Sequence, residues 1–144
     1  MVVLDTPQMT VRPAQMMSFM DAVKNVLLNN YVNFDGRASR SEYWWWLLAT
    51  IPMSFPFFIL DVIVFGWGIE DPTWFQNIFT VAILLPGLGV AIRRLHDSGR
   101  SGWWLLITII PCVGLIVLIV FMAQDGEPYP NADGEVPTNI LPTD

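Results

Sequence analysis

Three long apolar runs dominate the chain and restrict what it can fold into. They cover residues 44–65, 75–92 and 103–122 of a protein of 144 residues, 53% of which are hydrophobic. The first run has 22 residues. As an α-helix it would be about 33 Å long, enough to cross a hydrocarbon core of roughly 30 Å. We therefore predict an all-α integral membrane protein with three transmembrane helices.

Four prolines interrupt these runs: Pro52, Pro56, Pro86 and Pro111. A transmembrane helix tolerates proline because neighbouring helices or waters can satisfy the freed backbone carbonyl. We predict kinks rather than helix ends at these positions. The second run is the shortest and the weakest of the three predicted spans.

The sequence around the spans divides the chain into four parts. Residues 1–17 lack an apolar core and are predicted to be a flexible lead. Residues 18–33 carry apolar and polar side chains on opposite helical faces, which predicts an amphipathic helix along the membrane interface. A helix that docks a protein partner is the alternative. Residues 34–123 form the three-span membrane domain, and residues 124–144 form an acidic, turn-rich tail.

The distribution of basic residues predicts the orientation of the chain. All seven lysines and arginines either precede the first span or lie between the second and third. With three crossings these two regions share one side, and the tail, which has no lysine or arginine, lies on the other. Positive charge favours the cytoplasmic side. We predict a cytoplasmic N-terminus and a C-terminus on the far side.

Two segments on the predicted cytoplasmic side combine arginine with aromatic residues, FDGRASRSEYWWW (34–46) and RRLHDSGRSGWW (93–104). This combination is typical of a bilayer interface, because indole rings lie at headgroup depth and guanidinium groups meet anionic lipid. We predict six interfacial aromatic residues: Tyr43, Trp44, Trp45, Trp46, Trp103 and Trp104.

Because both segments lie on one side of the membrane, their charged side chains are predicted to form one polar cluster that contacts lipid or a partner. Its members are Arg37, Arg40, Glu42, Arg93, Arg94, His96, Asp97 and Arg100. We expect Glu42 or Asp97 to pair with an arginine of the other segment, leaving one or more arginines for an anionic lipid or a partner protein. The simpler interpretation is that these charges only set orientation.

Few residues favour catalysis or metal binding. His96 lies next to Asp97, but neighbours in sequence seldom orient one another, and no nucleophile motif accompanies them. The single histidine and the single cysteine, Cys112, do not make a metal site. The net charge of −6 argues against nucleic acid. We predict no catalytic residue, cofactor, metal or nucleic-acid partner.

Asp61 is the one acidic residue inside a predicted span. An ionisable group in hydrocarbon is a candidate proton or ion site because its burial is costly. Asp61 lies near the far end of its run, and this cost falls toward the headgroups. A carboxylate at the level of the interface is therefore the favoured interpretation, and an ion or proton site is the alternative.

Four motifs resemble a known family: residues 34–44, residues 93–104, IPCVG (110–114) and the spaced set Gly126, Asn131, Gly134 and Pro137. They are similar to the bacterial family of domain of unknown function 805, the YhaH-like inner-membrane proteins, over about residues 19–137. The resemblance implies a small multi-helix inner-membrane protein with no established activity. In such a protein, the far side that the charge distribution predicts for the C-terminus is the periplasm. This chain departs from the family in its long lead and its acidic NADGEVP segment.

These features lead to three functional hypotheses. The first is a non-enzymatic accessory or scaffolding subunit that packs against a larger membrane complex, because Gly87 and Ala91 offer the small-residue spacing of helix contacts. The second is a small oligomeric transporter or channel. The third is an enzyme that acts on lipid headgroups. The predicted partners are the lipid bilayer, anionic lipid in particular, and a membrane protein or a second copy of the chain.

Overall fold

The computed structural model describes residues 15–68, 70 and 72–139. These residues form helices and loops, and no β-strand occurs among them. The predicted all-α class is therefore confirmed.

Two long helices form the body of the protein. Helix α2 (Arg40–Phe65) has 26 residues and helix α3 (Trp74–Asp97) has 24, which makes them about 39 Å and 36 Å long. Both are long and apolar enough to cross a membrane. Pro52, Pro56 and Pro86 lie inside continuous helix, as predicted. The two helices extend beyond the apolar runs. Arg40 is therefore the first residue of α2, and Arg93 and Arg94 lie near the end of α3.

The third predicted span is wrong. Instead of one helix over residues 103–122, the structure has a 3₁₀ helix (Gly102–Ile109) and a separate short helix, α4 (Val113–Ala123). Each is about 16 Å long, too short to cross a bilayer. The two pack side by side, and the rings of Trp104 and Phe121 meet edge to face at 5.3 Å. We call this pair of helices, with residues 110–112 between them, the hairpin.

The residues at the tip of the hairpin explain the reversal. Pro111 supplies no backbone N–H to a continuing helix, and Cys112 has a φ of 61°, which a right-handed helix does not contain. Gly114 packs directly on the backbone of the 3₁₀ helix, where a Cβ atom would lie 1.8 Å from Ile107 O. Proline here ends a helix rather than kinking it, and only glycine fits at the crossing.

The hairpin returns the chain to the end of α3 from which it started. Gly102 lies against Ile92, and Arg94 Nε donates to Met122 O at 3.0 Å. The tail that follows, residues 124–139, packs beside the start of α2, where Arg37 Nη1 donates to Tyr129 O at 2.7 Å. This packing disagrees with the prediction that the membrane separates the tail from the arginine segments.

The N-terminal segment packs on the long helices. Helix α1 (Phe19–Lys24) continues as a π-helical turn (Asn25–Asn29), shorter than the predicted 18–33. Val26 is fully buried in a core with Ala38, Trp46 and Val90. The predicted amphipathic face thus contacts protein, and its location at a membrane interface stays a prediction.

The end of the predicted flexible lead makes specific contacts. Met17 N donates to Ser41 Oγ at 3.0 Å, and Met17 O accepts from Trp45 Nε1 at 3.0 Å. The lead before residue 15 lies outside the described residues.

Candidate functional site

The arginine segments meet in a buried cluster of five charged side chains: Arg37, Glu42, Arg93, Arg94 and Asp97. The antiparallel arrangement of α2 and α3 creates it, because the start of α2 and the end of α3 lie side by side. All five side chains are at most 8% exposed. Charged groups this deeply buried persist only when they are paired and hydrogen-bonded.

Asp97 is the centre of the buried cluster. Arg37 donates to Asp97 Oδ1 twice, from Nε at 3.1 Å and from Nη2 at 2.9 Å. Arg94 Nη1 donates to the other oxygen, Oδ2. One carboxylate thus holds an arginine from the segment before α2 and another from its own helix, which is the cross-segment pairing expected from the sequence.

Glu42 forms the second pair. Its Oε1 accepts from Arg93 Nη2 at 2.9 Å and from Asn25 Nδ2 at 3.0 Å. Ser39 begins α2 by accepting from Glu42 N at 3.2 Å. Glu42 therefore joins the start of α2 to the end of α1 and to the end of α3.

The remaining guanidinium hydrogens of the buried cluster bind the backbone of the tail. Arg37 Nη2 donates to Glu127 O at 2.6 Å, and Arg94 Nη2 donates to Gln124 O. Glu127 N in turn donates to Asp97 O at 2.7 Å. Three arginines face two carboxylates in the cluster. Main-chain carbonyls accept the further donors of Arg37 and Arg94, whereas the buried Nε of Arg93 has no acceptor among the described residues.

His96 has a structural position beside the buried cluster. Its Nδ1 lies 3.1 Å from Gly36 O and 3.7 Å from Asp133 Oδ1. Asn131 Nδ2 donates to His96 O at 2.9 Å and to Glu127 Oε2 at 2.7 Å. His96 thus contacts the tail and the loop before α2, and Asp97, its sequence neighbour, is engaged by the arginines instead.

The other two predicted members, Arg40 and Arg100, lie outside the buried cluster. Arg40 Nη2 lies 2.8 Å from Asp125 Oδ1 in an exposed pair. The guanidinium of Arg100 stacks 4.1 Å from the ring centroid of Phe121, a cation–π contact with the hairpin. The structure therefore brings together five of the eight predicted residues and places Arg40, Arg100 and His96 around them.

The predicted interfacial aromatics divide into outer and inner side chains. Trp103 is 78% exposed and Trp104 is 46% exposed. Trp44 is also exposed, whereas Trp46 is only 3% exposed and belongs to the core. Tyr43 packs against both core clusters, and the Trp45 indole bonds to Met17. Trp46, Tyr43 and Trp45 thus help to fix helices to one another.

Asp61 lies at the opposite end of the two long helices, where it caps α3. It is 4% exposed, and its two oxygens accept from Phe75 N at 2.9 Å and Gln76 N at 2.8 Å. Thr73 precedes α3 but makes no capping bond with its own side chain. A carboxylate from α2 therefore satisfies the first free amides of α3 and complements its dipole.

We expect Asp61→Ala to destabilise the protein by about 1–2 kcal/mol, the cost of losing an N-cap. Thermal unfolding of the detergent-purified protein measures this. Asp61→Asn is the matched variant, because it keeps one acceptor oxygen and should lose less stability. Equal melting temperatures for Asp61→Ala and the parent protein would contradict the capping role.

Sequence reasoning missed the contribution of the tail to the site. Asn131 and Gly134 close a turn in which Gly134 adopts a φ of 127°. Gly134 O also accepts from Arg37 Nη1 at 3.4 Å. In the sequence, the spacing of these two residues indicates only a family resemblance. Every residue has a backbone carbonyl, so the sequence does not show which ones accept hydrogen bonds. Only the large number of arginine donors indicates that such acceptors are needed.

The described part of the chain contains no group of three or more His, Cys, Asp or Glu side chains placed to hold a metal ion. The site is instead a set of buried ion pairs that joins the N-terminal segment, both long helices and the tail.

Comparison with known proteins agrees with this arrangement of motifs. The family described as "Protein of unknown function (DUF805)" matches residues 31–135, which include the whole buried cluster and the tail turn. Inner membrane protein YhaH of Escherichia coli (strain K12) is 41% identical over 114 residues, covering 77% of this chain and 92% of that protein. Inner membrane protein YhaI of the same strain is 40% identical over 111 residues, covering 77% and 91%. No solved structure matches the chain.

Proposed function

Since this chain belongs to the DUF805 family, and its relatives are inner-membrane proteins, we propose that it is a non-enzymatic accessory subunit that packs against a larger complex in the bacterial inner membrane. The hairpin is the observation that carries the proposal. It is an apolar segment whose two helices are each too short to cross the bilayer, and the described residues leave its irregular tip uncovered.

The tip of the hairpin needs a covering surface. Ile109 is 75% exposed, Val113 is 60% exposed and Cys112 is exposed. Within hydrocarbon, non-helical backbone is tolerated only where protein buries it or where it lines a water-filled cavity. Apolar side chains surround this tip, which disfavours water. A protein surface against residues 109–113 can supply hydrogen-bond partners for the non-helical backbone and can bury the apolar side chains.

The same proposal sets the orientation of the chain. The buried cluster and the tail lie together at the cytoplasmic face, and α2 and α3 cross the membrane. Positive-inside bias supports this arrangement because all seven basic residues fall within residues 12–40 and 93–100. The N-terminus and the C-terminus are then both cytoplasmic.

The placement of the polar residues supports a role without catalysis. Arg37, Arg93 and Arg94 are buried in ion pairs, and His96 Nδ1 lies against a backbone carbonyl. These groups hold the fold together and do not converge on a cleft. A homo-oligomeric transporter or channel is the second candidate, because a second copy of the chain could cover the hairpin tip equally well.

The native thiol of Cys112, the only cysteine of the chain, allows a direct test. A photo-activated crosslinker attached to Cys112 in intact membranes should give one discrete protein adduct in high yield, because the tip lies against a fixed protein surface. The matched control carries Cys112→Ser and Val81→Cys. Position 81 is 69% exposed on the side of α3, and a probe there should react mainly with lipid.

The mass of the adduct separates the candidates. One additional protein of a different mass supports the accessory role, and twice the mass of this chain supports the homo-oligomer instead. Lipid adducts alone at Cys112, equal to those at position 81, would rule out both.

A further inference from the structure

A groove with a volume of about 880 Å³ lies on the outer side of α2, between the first turns of that helix and the tail. Its size falls in the upper part of the range for ligand sites, about 300–1,000 Å³. The hairpin tip does not line it, so that it is separate from the surface proposed above to bind a partner.

One end of the groove carries an exposed ion pair. Arg40 Nη2 and Asp125 Oδ1 are 2.8 Å apart, and their side chains are 51% and 78% exposed. Asn139 also lines the groove, and its buried Oδ1 accepts no hydrogen bond from the described residues. Positive and negative groups therefore lie side by side at this end, and an exposed pair of this kind exchanges readily for other charged partners.

The other end of the groove is apolar. Trp44, Leu47, Leu48 and Ile51 line it, and the spacing i, i+3, i+4, i+7 places them along one face of α2. Ile51 lies about 16 Å further along the helix than Arg40. Leu48 is 50% exposed and Ile51 is 67% exposed. The groove thus changes from charged to apolar along the direction in which α2 is proposed to enter the membrane.

We propose that this groove binds one phospholipid whose headgroup carries both a phosphate and a primary ammonium group. The phosphate contacts Arg40, whose planar fork suits phosphate oxygens. The ammonium contacts the Asp125 carboxylate and Asn139 Oδ1, and an acyl chain lies along Leu47, Leu48 and Ile51. A headgroup with only negative charge gains the contact with Arg40 but faces Asp125, so that the expectation of an anionic lipid is replaced by a zwitterionic one.

Native mass spectrometry of the full chain in nanodiscs tests the proposal. The nanodiscs contain equal amounts of phosphatidylethanolamine, phosphatidylcholine and phosphatidylglycerol. One phosphatidylethanolamine should stay bound per chain, because the quaternary ammonium of phosphatidylcholine has no N–H to donate. Arg40→Ala should lower this occupancy about tenfold, the effect of losing a charge-assisted hydrogen bond. Lys24→Ala is the matched control: it removes an exposed cation outside the groove and should leave occupancy unchanged.

Two further variants separate the headgroup contacts from the fold. Asp125→Asn should abolish the preference for phosphatidylethanolamine over phosphatidylglycerol, whereas Glu135→Gln, an exposed tail acid, should keep it. Leu48→Trp should block the apolar end and reduce retention, whereas Leu84→Trp, at an exposed position of α3, should not. Preferential retention of phosphatidylglycerol, equal retention of the three lipids, or the same occupancy in Arg40→Ala and Lys24→Ala would each overturn the proposal.

Discussion

Asp97→Ala is expected to lower the free energy of unfolding by at least about 3–5 kcal/mol. The substitution removes the carboxylate shared by Arg37 and Arg94 and leaves two guanidinium groups buried without their anion. Breaking one buried ion pair by removing a partner costs about 3–5 kcal/mol. This is a large part of the 5–15 kcal/mol that stabilises a typical domain. The tail and the hairpin should detach together, because the same arginines hold both.

Size-exclusion chromatography and thermal unfolding in a mild detergent measure the loss of stability of the native structure. Asp97→Asn keeps an acceptor oxygen without the charge and should be intermediate. Glu135→Gln is the control, because it removes a carboxylate from an exposed position in the tail and should change the free energy of unfolding by less than about 0.5 kcal/mol. If Asp97→Ala unfolds at the same temperature as Glu135→Gln, the buried cluster does not hold the fold together.

The parts of the site that follow from charge pairing could be predicted from the sequence. Two arginine segments on the same side of the membrane contain only three carboxylates, Asp35, Glu42 and Asp97, and so leave few ways to pair their buried charges. The pairs Glu42–Arg93 and Asp97–Arg37 are the result. The two long helices could also be predicted from the sequence, because an apolar run long enough to cross a bilayer has few alternatives to a transmembrane helix.

The hairpin was not predictable from the same signals. Pro86 and Pro111 both interrupt apolar sequence, yet Pro86 lies inside α3 and Pro111 ends a helix. The difference arises from tertiary contacts: Gly114 packs on Ile107 O, and Arg94 binds the chain again at Met122 O. Hydropathy and proline content are local properties, and they do not record such contacts.

The contact of the tail with the arginine segments was not predictable for a separate physical reason. The acids of the tail and its lack of lysine and arginine predicted a segment on the periplasmic side of the membrane. Positive-inside bias counts lysine and arginine, and acidic residues contribute little to it. An acidic segment can therefore lie beside an arginine-rich one, as Arg40 and Asp125 do at 2.8 Å.

A reporter that is active only in the cytoplasm should therefore be active when fused after Asp144. In a three-span protein the same fusion would be inactive, so the two arrangements predict opposite reporter signals. The reason is the hairpin: the chain enters it at Gly102 and leaves it at Ala123 beside the same end of α3. Arg37 and Arg94 then hold the tail there by donating to Glu127 O and Gln124 O, which lie on the two sides of Asp125.

A second reporter, active only outside the cytoplasm, provides the control. Fused after Gly68, in the loop that follows α2, it should be active, because one crossing precedes it. Fused after Asp144 it should be silent. The opposite pair of signals at Asp144 would mean that residues 102–123 cross the membrane as a continuous span. The contacts of Arg37 and Arg94 with the tail would then have to be absent from the protein in its native membrane.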